Sequence, residues 1–279
     1  MQPVELEGPA SARAVRHVAL RRSGVPVAAD LRVTLNFHPD RLRNGLLTVE
    51  SLRRDRQYRS QFETGTSNGG LTAYEGGARW KWESSMFGAA YDGAPAAERP
   101  KYGSLNFRRR AGGGSPRFGS CYLRLRPETL ARTSFCYPDS YLNPVSFGVA
   151  EAMPLIPLAE ANSGDALDDY IEAHVHGLVR LGEDAEALVL HPSFRGTRIE
   201  ESACQLDCPV EWHSGFQLSV GELQSHPEYR GPEYVQLGLQ LSIAGYLTPR
   251  IIGDAARTGR YDDQDLKRVW HYLALRRPP

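Results

Sequence analysis

The stretch DALDDYIEAHVHGLVRL, Asp165–Leu181, decides the fold. After a helix start at Asp165, Ile171, Ala173 and Val175 alternate with Glu172, His174 and His176. Successive strand side chains point to opposite faces, so this is a strand with one apolar face and one face carrying a carboxylate and two imidazoles. Such groups supply charge stabilisation and proton transfer, which makes that face a candidate site lining. The plainer reading is a half-exposed strand solvated on its polar side.

Working outward, LRVTLNF (Leu31–Phe37) alternates as a strand and runs into His38-Pro39-Asp40, where the proline stops the ladder. His38 therefore sits at a strand end, a common lip of a site, or is simply structural. A helix is predicted over Thr48–Asp55 with Thr48 as its N-cap. The loop SQFETGTSNGG (Ser60–Gly70) offers hydroxyls, amides and backbone N–H groups for a phosphate or ribose, or is an ordinary turn. LTAY (Leu71–Tyr74) reads as a short strand, GGARWKWESSMFGAAY (Gly76–Tyr91) as a packed helix, and ERPKYGSLNF and FGSCYLRLRP (Glu98–Phe107 and Phe118–Pro127) as strands around a loop at Arg108–Ser115. Tyr141–Asn162 has no period and reads as a connection. EDAEALVLHPSF (Glu183–Phe194) reads as a short helix then a strand, and Cys208–Val220 as a further strand region. Helices are expected over Val235–Leu247, Thr248–Thr258 and Asp262–Leu275, the last amphipathic through Leu266, Val269, Trp270 and Leu273. Residues 1–29, with a short helix at Ala12–Arg22, read as an N-terminal arm, and 30–279 as a single catalytic-type domain with C-terminal helices.

Composition agrees with this division. The chain has 279 residues with 27 glycines and 19 prolines, which favours short elements and excludes an all-α fold. Thirty-three basic and 33 acidic residues cancel, so no global field draws the chain to nucleic acid or anionic lipid. Lys81, Lys101 and Lys267 are its only lysines, so positive sites are mostly guanidiniums, forked and always charged. No apolar run approaches the roughly 18 residues of a membrane span, and the first residues lack the apolar centre of a signal peptide. The expectation is a cytoplasmic protein, or an effector delivered without a classical signal peptide. Four cysteines are too few for a disulfide scaffold and are read as reduced thiols.

Several reaction classes lack their motifs: there is no P-loop, no GxSxG and no HExxH, and Gly112–Gly114 follows three arginines rather than a strand. His174-x-His176 has a spacing that can grip zinc, and Cys204-x3-Cys208 with His213 could add thiolates and an imidazole. That cysteine gap is not the usual two residues, so no bound metal is expected. A metal-dependent hydrolase on His174, His176 and His213, or a non-catalytic binding protein, are the alternatives.

The succession of His38 at a strand end, FETGTSNGGLTAY, GGARWKWE, YGSLNF, FGSCYLRL and YIEAHVHG resembles an uncharacterised bacterial family, a domain of unknown function, over about residues 30–257, with ERPKYGSLN, RFGSCYLRLRP and PSFRGT as further specific pieces. More distantly the chain resembles the ADP-ribosyltransferase superfamily. That resemblance implies an α+β fold, a split antiparallel β-sandwich around a central cleft with helices, and NAD as co-substrate. It also implies three elements: His38 at the ribose, Tyr74 with Ser67 and Asn68 packing on nicotinamide, and Glu172 at the nicotinamide ribose 2′-hydroxyl. Arg41, Phe62, Thr64, Gly69 and His174 complete the implied NAD contacts, with Arg41, Arg43 or Arg59 available to the pyrophosphate. The chain departs from the superfamily in having no Ser-Thr-Ser triplet and in carrying His174 where some classes have a second carboxylate. The implied activity is cleavage of the nicotinamide–ribose bond and transfer of ADP-ribose, as in a toxin or effector, to an acceptor that is protein rather than nucleic acid and involves no membrane.

Overall fold

Eight strands zip into one sheet in the computed structural model, which describes residues 8–21, 23–65, 71–162 and 164–276. The strands are β1 (Val33–Phe37), β2 (Lys101–Leu105), β3 (Cys121–Leu125), β4 (Thr133–Tyr137), β5 (Ser146–Val149), β6 (Ile171–Val175), β7 (Ala185–Leu190) and β8 (Val210–Trp212). Their order is β8-β7-β3-β1-β2-β6-β4-β5, antiparallel throughout except for the parallel β7–β8 pair. Leu42–Arg43 with Leu46–Leu47, Gln57–Tyr58 with Val179–Arg180, and Leu218–Ser219 with Tyr246–Leu247 form two-stranded ribbons outside it. The class is α+β, but the expected pair of small sheets is replaced by one continuous sheet. The cause is β6, which pairs along its length with both β2 and β4 and so leaves no seam.

One face of the sheet is apolar. Val33, Leu35, Leu105, Leu123, Phe135, Ile171, Ala173, Val175 and Leu188 share a core with Val49 and Leu52 of α2 (Thr48–Asp55) and Ile199. The opposite face carries Thr34, Asn36, Ser104, Ser134, Cys136, Glu172 and His174, all buried. It is therefore not a solvated face. Covering it is a helix, α3 (Ala78–Met86), whose first turn is fixed when Thr72 accepts the Ala78 N–H on its side chain at 2.9 Å and the Arg79 N–H on its carbonyl at 3.0 Å. Trp82 of this helix and Phe87 and Tyr91 just beyond it pack on the His174 and His176 rings.

Two further apolar clusters flank the sheet. Ala10, Ala14 and Val18 of an N-terminal helix, Ala10–Ala19, pack with Met86, Phe87 and Tyr91. The C-terminal helices α4 (Pro232–Leu241), α5 (Pro249–Arg257) and α6 (Asp263–Ala274) gather around Leu266, Val269, Trp270 and Leu273, the face expected from their spacing.

Other local expectations need correction. Thr48–Asp55 has the predicted limits, but Leu47 is the N-cap, its N–H held by Glu50 Oε2 at 2.9 Å. Leu71–Tyr74 is not a strand, because Thr72 is engaged in starting α3. Asp165 starts no helix; its carboxylate accepts the Leu167 N–H at 2.9 Å and pairs with Arg230. The supposed connection Tyr141–Asn162 contains β5 and a short helix, Leu155–Glu160.

Candidate functional site

A cleft of about 600 Å³ opens where β1 ends, over the polar face of the sheet. Phe37 and His38 form one wall together with Trp270 of α6, whose indole meets the His38 ring edge-on at 4.6 Å. Gly103 of β2 lines the floor, where a Cβ would stand 2.5 Å from Leu35 Cδ2 and from the Thr34 carbonyl oxygen, so only glycine fits. Tyr102, Arg79, Ser140 and Glu172 complete the inner end. Eight basic and five acidic side chains line this space, a local positive excess in a chain with no net charge. An anionic ligand suits it.

Glu172 is buried, at 6% exposure, and fully engaged. Its Oε2 accepts from Ser140 Oγ at 3.1 Å and from the Ser140 N–H at 3.4 Å, and its Oε1 accepts from His174 Nε2 at 3.0 Å. Burial alone would raise its pKa. The hydrogen bonds from His174 and Ser140 and the charge of Arg79 outweigh that and hold it below the ordinary value. Arg79 in turn donates to Ser140 Oγ at 2.6 Å and stacks over Tyr102 at 4.1 Å. Tyr102 donates to Glu83 at 2.8 Å, and Arg99 closes the pair with Glu83 at 2.7 Å.

Behind Glu172 runs a buried chain of hydrogen bonds: His174 Nδ1 to Ser134 Oγ at 3.1 Å, Ser134 Oγ to His176 Nε2 at 2.9 Å, and His176 Nδ1 to Tyr91 Oη at 2.8 Å. Burial lowers the pKa of both histidines, so both rings are neutral. An ionised Glu172 has no proton to give, which fixes the direction of every link. Tyr91 donates to His176, His176 to Ser134, Ser134 to His174, and His174 to Glu172.

The expected site residues divide. His38, Arg41, Arg43, Arg59, Thr64 and Glu172 line the one cleft. Burial first, and then the charge of Arg41, push the His38 pKa down to about 3, so this imidazole is neutral. Tyr74 is 63% exposed and absent from the lining. Phe62 lies outside it also, under the Arg99 guanidinium at 4.1 Å. His174 is completely buried behind Glu172 rather than at the cleft surface. Ser67, Asn68 and Gly69 lie outside the described residues.

Sequence reasoning missed Arg79, Ser140 and Tyr102. Tyr102 was within reach, since it stands in YGSLNF, the strand between those of His38 and Glu172. The zinc set drawn from Cys204, Cys208 and His213 is not assembled; His213 Nε2 donates to the Ser120 carbonyl at 2.9 Å and its Nδ1 accepts the Gly215 N–H at 3.0 Å. Among the described residues one group of three metal-type donors stands close together: Cys136, Glu172 and His174. Burial, then the charges of Glu172 and Asp139, push the Cys136 thiol well above its ordinary value.

Among the described residues no helix is long and apolar enough to cross a membrane. One family model, described as a protein of unknown function (DUF3626), matches residues 32–160 and 151–274. No curated protein matches the chain.

Proposed function

Since the chain belongs to the DUF3626 family, whose description assigns no chemistry, we propose a function from the site itself: cleavage of the nicotinamide–ribose bond of NAD, with transfer of ADP-ribose to a protein acceptor. One observation carries the reading. His38 at the end of β1, Tyr102 on β2 and Glu172 on β6, three neighbouring strands, line a single basic cleft whose volume lies in the ordinary range for small-molecule sites. The superfamily resemblance calls for a His, an aromatic and a Glu on such strands, and Tyr102 meets the middle requirement that Tyr74, outside the cleft, does not.

The chemistry follows from the charges. When the C–N bond breaks, the electron pair leaves with nicotinamide and positive charge develops at the anomeric carbon, as in an oxocarbenium-like transition state. Glu172, charged and held by its partners, stabilises that carbon without reorganising. The acceptor nucleophile then bonds to the carbon and gives up its proton. His38, neutral at working pH, hydrogen-bonds a ribose hydroxyl. Arg41, Arg43 and Arg59 face the pyrophosphate, and the Tyr102 ring forms a wall for nicotinamide.

The test is incubation of purified protein with NAD labelled in the adenylate portion, together with a cell extract. Free nicotinamide and label on protein are expected. Absence of both NAD binding and nicotinamide release would overturn the reading, and label on nucleic acid would overturn the acceptor.

A further inference from the structure

We propose that Cys136, Glu172 and His174 form a zinc-binding site, and that zinc held there blocks Glu172 and so inhibits the reaction. The inhibition rests on the function proposed above; the binding does not.

The three donors come from adjacent strands, with Cys136 directly across from Glu172 and Ser134 directly across from His174 in the β4–β6 register. No loop has to order for them to meet. His174 Nε2 is 3.0 Å from Glu172 Oε1 and 3.8 Å from Cys136 Sγ, and Cys136 Sγ is 3.9 Å from Glu172 Oε1. Zinc bonds of about 2.0–2.3 Å to N, O and S set neighbouring donors roughly 3.2–3.8 Å apart, so shifts of a few tenths of an ångström suffice. Thiolate, imidazole and carboxylate together select zinc over magnesium or calcium, which prefer oxygen alone. Three protein donors leave a fourth position, and Glu172 at the cleft wall gives the ion a way in.

The surroundings supply what such a site needs. Glu172 Oε2 is retained by Ser140, which leaves Oε1 for the ion. His174 Nδ1 rests on Ser134 Oγ at 3.1 Å, the outer contact that orients a ligating imidazole. Coordination through Nε2 requires the proton of His174 on Nδ1. The hydrogen-bond chain can deliver this by reversing: His174 donates to Ser134, Ser134 to His176, and His176 to Tyr91, with each residue keeping one proton. Only Cys136 loses a proton, released to solvent as its thiol becomes a thiolate on the cation. Zinc therefore switches His174 and His176 together from Nε2–H to Nδ1–H. The carboxylate that serves the anomeric carbon is occupied for as long as the ion stays.

The experiment uses the full chain carrying Cys204→Ser and Cys208→Ser, so that no exposed or half-exposed thiol competes with the buried Cys136. Calorimetry with zinc should give one site per chain, weakened at least 10-fold by Cys136→Ala. Cobalt in place of zinc should give a thiolate charge-transfer band, a readout that needs no variant at Cys136, and ¹⁵N resonances of both histidines should report the tautomer switch. No zinc binding at micromolar concentration, affinity indifferent to Cys136→Ala, or no thiolate band would each overturn the site. With NAD, zinc should inhibit the Cys136-containing protein and leave Cys136→Ala at its own zinc-free turnover. Cys136-dependent zinc binding without any NAD cleavage would leave the metal site standing and remove the proposed function and its inhibition.

Discussion

Replacing Glu172 by Gln keeps the shape, removes the charge and disturbs one side of its hydrogen bonding. Because the hydrogen-bond chain ends in a proton donated by His174 Nε2, the Gln oxygen must take the Oε1 position, 3.0 Å from that nitrogen. Its amide N–H₂ then faces Ser140, whose own N–H stood 3.4 Å from the lost Oε2. Two donors now oppose each other, and Arg79 loses a neighbouring negative charge. Losing one charge-assisted bond and leaving a buried donor unmatched costs about 1–3 kcal/mol of stability, a shift of roughly 2–4 °C in Tm per kcal/mol for a domain of this order of size. The rate effect should be larger. Removal of an electrostatic contact to the transition state lowers kcat by about 10²–10³, or about 2.7–4 kcal/mol. Nicotinamide release at saturating NAD, alongside a thermal melt, separates the two, and KM should stay near the wild-type value because the loss belongs to the transition state. A folded Glu172→Gln protein with wild-type turnover would falsify the mechanism.

Three other outcomes are expected. His38→Ala should weaken NAD binding by about 10-fold, the worth of one hydrogen bond of about 1–1.5 kcal/mol, with folding intact; unchanged affinity by calorimetry would make His38 structural. Ser134→Ala strands a nitrogen on each of two buried histidines and should cost about 2–5 kcal/mol, whereas Tyr91→Phe strands only His176 Nδ1 and should cost about 1–3 kcal/mol; a Ser134→Ala loss no larger than that of Tyr91→Phe in urea titrations would mean that Ser134 does not bridge the two rings. His38, His191 and His271 are each pushed down to about 3, chiefly by burial. Their folded pKa lies below the unfolded 6.5, so the stability they carry is complete above pH 6.5 and is lost as pH falls from there toward 3. Melts should show Tm declining already below pH 6.5. His271→Leu, which removes two buried ring nitrogens without hydrogen-bond partners among the described residues, should raise Tm, and more at pH 5 than at pH 8; a flat profile down to pH 4 would contradict this.

Much of the scaffold was legible because alternation is a local signal. Ile171, Ala173 and Val175 announced the buried face of β6, and the same arithmetic found Cys121, Leu123 and Leu125 on β3. What alternation does not carry is what covers the other face. Glu172, His174 and His176 read as a site lining or as a solvated row; Glu172 lines the cleft, but both imidazoles lie buried, because α3 and the residues after it place Trp82 on His174 and Phe87 on both rings. β4 went unread, since TSFCY mixes polar and apolar residues that make sense only when Ser134 and Cys136 meet His174 and Glu172 across the ladder. Of the cleft, the strand-end histidine and the late glutamate were visible in sequence. Ser140 was not, for its role depends entirely on a distant partner, and Tyr74 drew notice over Tyr102 because it adjoins a polar loop.

The edge-on meeting of His38 with Trp270 has a consequence for the order in which the protein becomes competent. Trp270 also ties its indole N–H to the Arg117 carbonyl at 2.9 Å, so the wall of the cleft is closed by joining residues far apart in the sequence. During synthesis the sheet can pair strand by strand, but the His38 side of the cleft has no wall until residues 263–274 have been made and docked. Closure of this wall is thus a late, long-range event compared with the pairing of neighbouring strands, and a chain cut before residue 263 should form the sheet and leave the cleft open on this side.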